Sequence, residues 1–320
     1  MRRLACLIEP ILSGWNQFWF SPQPIGRMTL PRVLICAVTA CWFASFWTAA
    51  SVWLAADGVL STELSARLLE SDSISRWQQW SPLWWTESAG LLRAWLMVGI
   101  ALSLLCALRV GGRWTQLWLW LWAIAWAHRI VVLSGILEPA LMSALGYLII
   151  QPGAPLRGWR RSQAADVPAT ATNARGEFIE HWTAAVALRL LQTHWWLLVA
   201  TGLLSQLAGL IWWRGEGMWW LAAAERSNLV GLELLRNRPL LVNTLSHAMI
   251  VVQLLALWTV SVPRLRTLGI AAGVLVAVVY GGLADHFLYA LGLLALLSSF
   301  ASQPTRSSVD PTNTDHSFAK

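Results

Sequence analysis

Long apolar runs alternate with short polar segments along the chain, and these runs predict membrane-spanning helices. A helix needs about 20 mostly apolar residues to cross the hydrocarbon core of a bilayer, and most of the runs approach or exceed that length. We predict an all-α fold, a polytopic transmembrane helix bundle of about eight spans with interfacial helices. The run 139–151 is marginally short for a full span. The predicted spans are 30–56, 89–108, 115–134, 139–151, 182–213, 239–262, 267–283 and 286–302.

The residues outside these runs divide the chain into three parts. Residues 1–29 are predicted to be an N-terminal interfacial segment, because a Glu-Pro step interrupts their apolar run and several aromatic side chains follow it. Residues 30–302 form the predicted transmembrane domain, which includes an interfacial helix of mixed charge at 216–238. Residues 303–320 are polar, contain two prolines and are predicted to be disordered.

Arginine-rich loops set the predicted orientation, because cytoplasmic loops carry an excess of basic residues. With the N-terminus inside, four basic groups fall on the cytoplasmic side and the acidic loop 57–88 falls outside, provided that 139–151 crosses or re-enters the membrane. We therefore predict a multi-pass protein of the cell (inner) membrane with both termini in the cytoplasm. The basic groups are Arg2/Arg3/Arg27/Arg32, Arg109/Arg113, Arg157/Arg160/Arg161 and Arg264/Arg266.

Composition narrows the class of partner. The chain is 57% hydrophobic and 12% charged, whereas a soluble domain carries about 25% charged residues. Its 24 tryptophans suit a membrane–water interface. The net charge of +7 belongs to the arginine loops, and no soluble segment combines a basic patch with interleaved aromatics. The lipid bilayer is the predicted partner, and no nucleic acid is predicted to bind.

Polar side chains at membrane depth are the candidate functional residues, because such groups are costly in hydrocarbon and usually face the bundle interior. Helical spacing places Arg189, Gln192 and Gln206 on one face of the run 182–213, with His194 roughly opposite. The full set of candidates is His128, Arg129, Arg189, Gln192, His194, Gln206, Asn243, His247 and Gln253.

Two interpretations of these residues remain open. They can line a polar cavity between the run 182–213 and the run 239–262, or they can form hydrogen bonds between helices, each contributing about 0.6–2 kcal/mol. Arg189 lies near its helix start, so its side chain can also extend to the membrane surface. The four cysteines form no CxxC and no HExxH occurs, so no metal site is predicted. Nucleotide-binding and serine hydrolase motifs are also absent from the sequence.

Four stretches resemble one known family. The stretches are WNQFWFSPQPIGRMTLPRVL, AHRIVVLSGILEPALMSALGYLIIQPGAPL, RLLQTHWWLLVATGLLSQLAGLIWWRGEGMWW and RPLLVNTLSHAMIVVQLL. In order, they resemble the opening of the bacterial HTTM-domain proteins, a His-Arg helix leading to a Pro-Gly step, an Arg-Leu-x-Gln-x-His helix, and the helix that follows it. The HTTM domain is the transmembrane domain shared with vitamin K-dependent gamma-carboxylase, and the resemblance extends over about residues 14–300.

The resemblance implies a multi-helix membrane fold with a central polar site, and it also implies that this site has changed. In the carboxylase, a lysine is the proposed base near reduced vitamin K; here Gln206 stands at the matching position, and Gln253 stands where the family tends to have an acidic residue. A glutamine is not a base, whereas a buried lysine can be one. Gamma-carboxylation is therefore not expected.

Three functional hypotheses follow from the sequence. The first is a non-catalytic HTTM-like module whose polar cavity binds a lipid, a quinone-like ligand or a partner helix of another membrane protein. The second is a membrane enzyme acting on a lipid or quinone-type substrate, with His194 or His247 as acid or base and Arg189 or Arg129 as an anion clamp. The third is a transporter, which the lack of visible internal repeats disfavours. No cofactor is required by the sequence.

Overall fold

The computed structural model describes residues 2–71, 80–151, 180–224 and 235–301. The described chain is helical, apart from one two-residue antiparallel pairing of β1 (Gln23–Pro24) with β2 (Glu180–His181). Short 3₁₀ turns lie at Ile25–Met28, Pro82–Trp85 and Val131–Leu133. The α-helices of the described part are α1 (Arg2–Phe20), α2 (Thr29–Leu54), α3 (Thr62–Ser71), α4 (Ala89–Ala107), α5 (Gly112–Arg129), α6 (Leu137–Ile150), α7 (Trp182–Ala208), α8 (Leu210–Trp213), α9 (Gly217–Ala224), α10 (Pro239–Ser261), α11 (Arg266–Leu283) and α12 (Phe287–Ala301).

Four segments are long and apolar enough to cross a membrane: Gly26–Leu54, Ala89–Ala107, Pro239–Ser261 and Arg266–Leu283. The predicted all-α class is confirmed for the described residues, and these four segments match four of the predicted spans. The helices α6 and α12 are apolar but shorter. The helices α5 and α7 are long, but each contains arginine, histidine and glutamine side chains among its apolar residues, which lower its mean hydropathy.

Several predicted boundaries differ from the structure. The predicted run 182–213 is interrupted at Gly209, whose extended backbone separates α7 from the single turn α8. The indole of Trp213 then donates to the carbonyl of Leu207 at 2.7 Å, which satisfies a group exposed by the end of α7. The predicted loop 57–88 contains helix α3, which the sequence analysis did not anticipate. Residues 303–320 lie outside the described part of the chain.

Hydrogen bonds between helix ends define two ends of the bundle. At the basic end, Arg109 after α4 donates to the hydroxyl of Thr29 at the start of α2 (2.9 Å), and Gln192 in the first half of α7 donates to the carbonyl of Ser299 near the end of α12 (3.0 Å). At the opposite end, Arg129 donates to the last carbonyl of α2. The arginines of the basic end are Arg27, Arg32, Arg109, Arg113, Arg189, Arg264 and Arg266.

Large aromatic side chains fill the interior between the helices. Trp42, Trp126 and Trp195 are each at most 1% exposed. The indole of Trp42 donates to the carboxylate of Glu138 at 3.1 Å, and the other oxygen of Glu138 accepts from the amide of Gly135. Both oxygens of this carboxylate are thereby paired, and it is held at the start of α6.

A close approach between α10 and α11 depends on Gly269. A Cβ built on Gly269 would lie 2.3 Å from the backbone nitrogen of Val260, and the spacing of Gly269 and Gly273 repeats the small-xxx-small pattern of tightly packed membrane helices. The backbone of Val260 cannot move away without displacing α10.

We expect Gly269→Ala to lower the free energy of unfolding by about 1–3 kcal/mol, the usual cost of overpacking. The matched control is Gly282→Ala in the same helix, because a Cβ there meets no atom within 4 Å. It should leave the unfolding temperature unchanged or raise it, since alanine favours a helix over glycine. Thermal unfolding in detergent measures both, and equal temperatures for the two variants would contradict the close packing.

Candidate functional site

The predicted polar residues do not meet in one central cavity. The structure separates them into a cleft at the basic end, a closed cluster deeper in the bundle, and contacts at the opposite end.

Arg189 and Gln192 are the two predicted residues that face the cleft at the basic end. Nη1 of Arg189 donates to Oε1 of Gln192 at 2.9 Å, and Nε2 of Gln192 donates to the carbonyl of Ser299 at 3.0 Å. Arg189 also lies over the ring of Phe18 from α1, with 4.5 Å between its Cζ and the ring centroid. The buried amide of Gln192 therefore fixes the guanidinium on one side, and an aromatic ring covers it on another.

The basic-end cleft has a volume of about 250 Å³ and lies among α1, α7, α10, α11 and α12. Among the described residues, its lining contains two arginines, three aromatic rings and no carboxylate. The lining residues are Phe18, Arg189, Gln192, Thr193, Trp196, Val260, Ser261, Arg266 and Phe300. A cleft of this size is slightly below the 300–1,000 Å³ typical of small-molecule sites, so it suits a headgroup better than a whole lipid.

Gln206 and Gln253 converge on a residue that the sequence analysis did not select, Tyr280 of α11. Nε2 of Gln206 donates to the Tyr280 hydroxyl at 3.1 Å, and Nε2 of Gln253 approaches the same oxygen at 3.5 Å. Both glutamines are at most 4% exposed, and neither they nor Tyr280 line the basic-end cleft. We call these three residues the amide–tyrosine cluster. It consists of neutral side chains that join α7, α10 and α11.

The amide–tyrosine cluster is not fully satisfied within the described part of the chain. Oε1 of Gln206 and Oε1 of Gln253 are buried and accept no hydrogen bond there. Tyr289 packs edge-on against Tyr280, with 6.0 Å between ring centroids. Tyrosine is rare in this sequence, with three residues against 24 tryptophans. That contrast is the signal that could have directed attention to Tyr280.

His194 faces away from the cleft. Its Nδ1 lies 3.4 Å from the hydroxyl of Tyr147 in α6, and the two rings meet edge-on. Its Nε2 is buried without a partner in the described residues. The structure therefore places His194 at the α6–α7 contact, whereas Arg189 faces α1.

Asn243 and His247 lie at the opposite end. Nδ2 of Asn243 donates to the carbonyl of Arg214 at 3.3 Å, and Nδ1 of His247 lies 2.9 Å from the carbonyl of Asn243 in its own helix. The neighbouring hydroxyl of Ser246 donates to the carbonyl of Gly215 at 3.0 Å. Asn243 and Ser246 of α10 thus hold the turn between α8 and α9, and Asn243 borders a second cleft of about 330 Å³.

Arg129 is 1% exposed and bonds to the polypeptide around it. Its Nη2 lies 3.2 Å from the carbonyl of Leu54 and 3.3 Å from that of Leu60, and its Nη1 lies 3.4 Å from the hydroxyl of Ser65. Its Cζ lies 5.1 Å from the ring centroid of Trp84. Arg129 therefore ties the end of α5 to the end of α2 and to α3, and it borders neither cleft.

The neighbours of Arg129 complete a polar network at the opposite end. His128 has its Nδ1 3.0 Å from the carbonyl of Trp80. The hydroxyl and amide of Thr62 donate to the carboxylate of Glu87 at 2.6 and 2.7 Å. These bonds, reinforced by the positive charge of Arg129, hold the pKa of the Glu87 carboxyl below its ordinary value of 4.5. The carboxylate therefore stays charged and fixes the start of α3 beside the segment that precedes α4.

No known protein family, curated protein or solved structure matches the chain in the comparisons made with each. Among the described residues, no three His, Cys, Asp or Glu side chains come together as metal ligands would. Functional assignment therefore depends on the geometry of the cleft and the cluster.

Proposed function

We propose that the protein is a non-catalytic, HTTM-like integral membrane protein that binds a membrane amphiphile at the basic-end cleft. One observation carries this proposal: of the predicted polar residues in the membrane, Arg189 and Gln192 open onto this cleft, whereas Gln206 and Gln253 are closed in the amide–tyrosine cluster. A lipid or a quinone-like molecule can enter such a site from the bilayer.

The amide–tyrosine cluster supports a binding function over a catalytic one. The resemblance to the HTTM family places a lysine at Gln206 and an acidic residue near Gln253, and both positions are neutral amides here. An amide side chain neither gains nor loses a proton near neutral pH, so Gln206 and Gln253 cannot serve as the acid–base pair that carboxylation needs. Its hydrogen bonds instead connect three helices.

The direction of the helices supports eight crossings. The helices α2, α4–α7 and α10–α12 pass alternately between the basic and the opposite end. At 1.5 Å per residue, α6 is about 21 Å long, and its buried residues place it largely within the protein rather than against lipid. Because basic residues mark cytoplasmic loops, the basic end and both termini are proposed to face the cytoplasm in the cell membrane.

The enzyme hypothesis finds less support in the geometry. His194 and Arg189 face different neighbouring helices, and His247 bonds within its own helix at the opposite end. The guanidinium of Arg129 donates to the carbonyls of Leu54 and Leu60. The proposed acid–base groups and the proposed anion clamps therefore do not face a common space.

Native mass spectrometry of the purified protein tests the proposal. We expect the wild-type protein to retain an amphiphile, and we expect the double variant His194→Gln/His247→Gln to retain a ligand of the same mass. A ligand of different mass in the double variant would mean that the protein converts its ligand and is an enzyme. A partner polypeptide retained in place of an amphiphile, or an empty wild-type protein, would overturn amphiphile binding.

A further inference from the structure

The basic-end cleft has positive charge that the described residues leave unbalanced. Arg189 and Arg266 both line it, and the lining contains no carboxylate. Arg27 and Arg266 lie close enough to Arg189 for their positive charges to act on it. An arginine–carboxylate pair, Arg67–Glu63, lies in α3, at the opposite end of the bundle from this cleft. Like charges gathered in a partly buried place favour an anionic ligand.

The guanidinium of Arg189 is positioned in advance. A guanidinium has five N–H donors, and the described residues take one of them, at Gln192. Gln192 is itself 5% exposed and anchored to the backbone of α12. The remaining donors are held in a fixed orientation, which lowers the entropy lost when a ligand binds.

The arrangement suits a phosphate group better than a carboxylate or a neutral quinone. A carboxylate has two oxygens and is satisfied by one guanidinium in a bidentate pair, whereas the several oxygens of a phosphate can accept from two arginines at once. The hydroxyls of Thr193 and Ser261 add polar groups to the same lining. A quinone carries no charge to balance Arg189 and Arg266.

The walls of the cleft indicate where the rest of the ligand lies. Phe18, Trp196 and Phe300 are aromatic lining residues beside the arginines, and Trp196 is 43% exposed on the outside of α7. An apolar chain attached to a phosphate can lie along these rings and continue into the bilayer, because aromatic side chains at this depth favour the boundary between headgroups and hydrocarbon.

We propose that the basic-end cleft binds a phosphate group, recognised by Arg189 and Arg266 and presented by a phosphorylated amphiphile. This inference rests on the proposed binding function and names the chemical group that the site selects. The same recognition would also accept free phosphate, so the test compares the two sources.

The experiment measures binding to purified protein in a maltoside detergent, which contains no phosphate. The probes are phosphatidic acid, diacylglycerol with the same acyl chains, a neutral isoprenoid quinone and inorganic phosphate. The variants are Arg189→Gln and Arg266→Gln, and the control is Arg264→Gln, which removes the same charge two residues from Arg266 at a position outside the lining. Unfolding temperatures close to that of the wild type establish that each variant is folded.

We expect phosphatidic acid to bind the wild type and to bind each of Arg189→Gln and Arg266→Gln roughly tenfold or more weakly, because each loses hydrogen bonds to a charged group. Arg264→Gln should bind within about twofold of the wild type, as expected for an exposed charge away from the ligand. Binding of inorganic phosphate as tight as that of phosphatidic acid, with the same dependence on Arg189 and Arg266, would support the phosphate site and identify free phosphate as the source.

Three results would overturn the inference, and they differ in what they mean for the proposed function. Diacylglycerol or the quinone binding as tightly as phosphatidic acid would exclude phosphate recognition and leave amphiphile binding intact. Failure of all four probes to bind the wild type would contradict both phosphate recognition and the proposed amphiphile binding. Equal weakening by Arg264→Gln would show non-specific charge attraction rather than a site.

Discussion

Replacing Arg129 with methionine is expected to lower the free energy of unfolding by roughly 2–5 kcal/mol. The substitution removes the donors that reach the carbonyls of Leu54 and Leu60, and each buried acceptor left without a partner costs about 1–3 kcal/mol. Arg129→Lys should recover only part of the loss, because an ammonium cannot reproduce the planar fork that reaches both carbonyls and the hydroxyl of Ser65.

Arg67→Gln is the matched control for Arg129. Arg67 pairs with Glu63 at 2.5 Å, but both side chains are more than 70% exposed, and exposed ion pairs contribute about 0–1 kcal/mol. The unfolding temperature in detergent, followed by tryptophan fluorescence, measures all three variants. An Arg129→Met protein that unfolds at the same temperature as Arg67→Gln would mean that Arg129 does not hold the opposite end together.

A lysine introduced at Gln206 is the second substitution with a large expected effect. Gln206→Lys buries a cation beside the neutral hydroxyl of Tyr280 with no carboxylate in the amide–tyrosine cluster, and an uncompensated buried charge costs about 3–5 kcal/mol. Gln253→Glu buries an anion beside the same Tyr280 hydroxyl, from helix α10. Because both side chains reach one oxygen atom, the double variant can form an ion pair, and we expect it to unfold at a higher temperature than either single variant.

The control for this pair is Gln206→Lys combined with Gln192→Glu. Residue 192 is fourteen positions earlier in the same helix, about 21 Å away along its axis, so the added carboxylate cannot pair with the added lysine. We expect additive effects in this control and a favourable interaction energy in the Gln206–Gln253 double-mutant cycle. Additivity in both cycles would contradict the convergence of the two glutamines on Tyr280.

The sequence predicts features that depend on helical spacing. Arg189 and Gln192 are one turn apart, and the structure joins them by a hydrogen bond. The apolar runs locate the helices, because a helix buried in lipid or protein must carry mostly apolar side chains. The break at Gly209 is harder to predict, since the apolar run continues through it. The helix α3 is also missed, because its polar composition resembles a loop.

Contacts between helices distant in the sequence are not determined by spacing within one helix. The sequence pairs Gln206 with Gln253 through a family resemblance, but it gives no reason to place Tyr280 between them. Arg129 was predicted as a possible anion clamp because it lies at membrane depth, and the structure instead surrounds it with carbonyls from segments 69–75 residues away. Arg266 belongs to a predicted loop, and only the fold brings it to Arg189.

The position of the bound ligand is the most direct test of the account. Native mass spectrometry of Arg189→Gln and Tyr280→Phe, each purified in parallel with the wild type, compares the basic-end cleft with the amide–tyrosine cluster. We predict that the amphiphile retained by the wild type is lost from Arg189→Gln and kept by Tyr280→Phe. A ligand kept by Arg189→Gln and lost from Tyr280→Phe would place the binding site at the cluster and contradict the account.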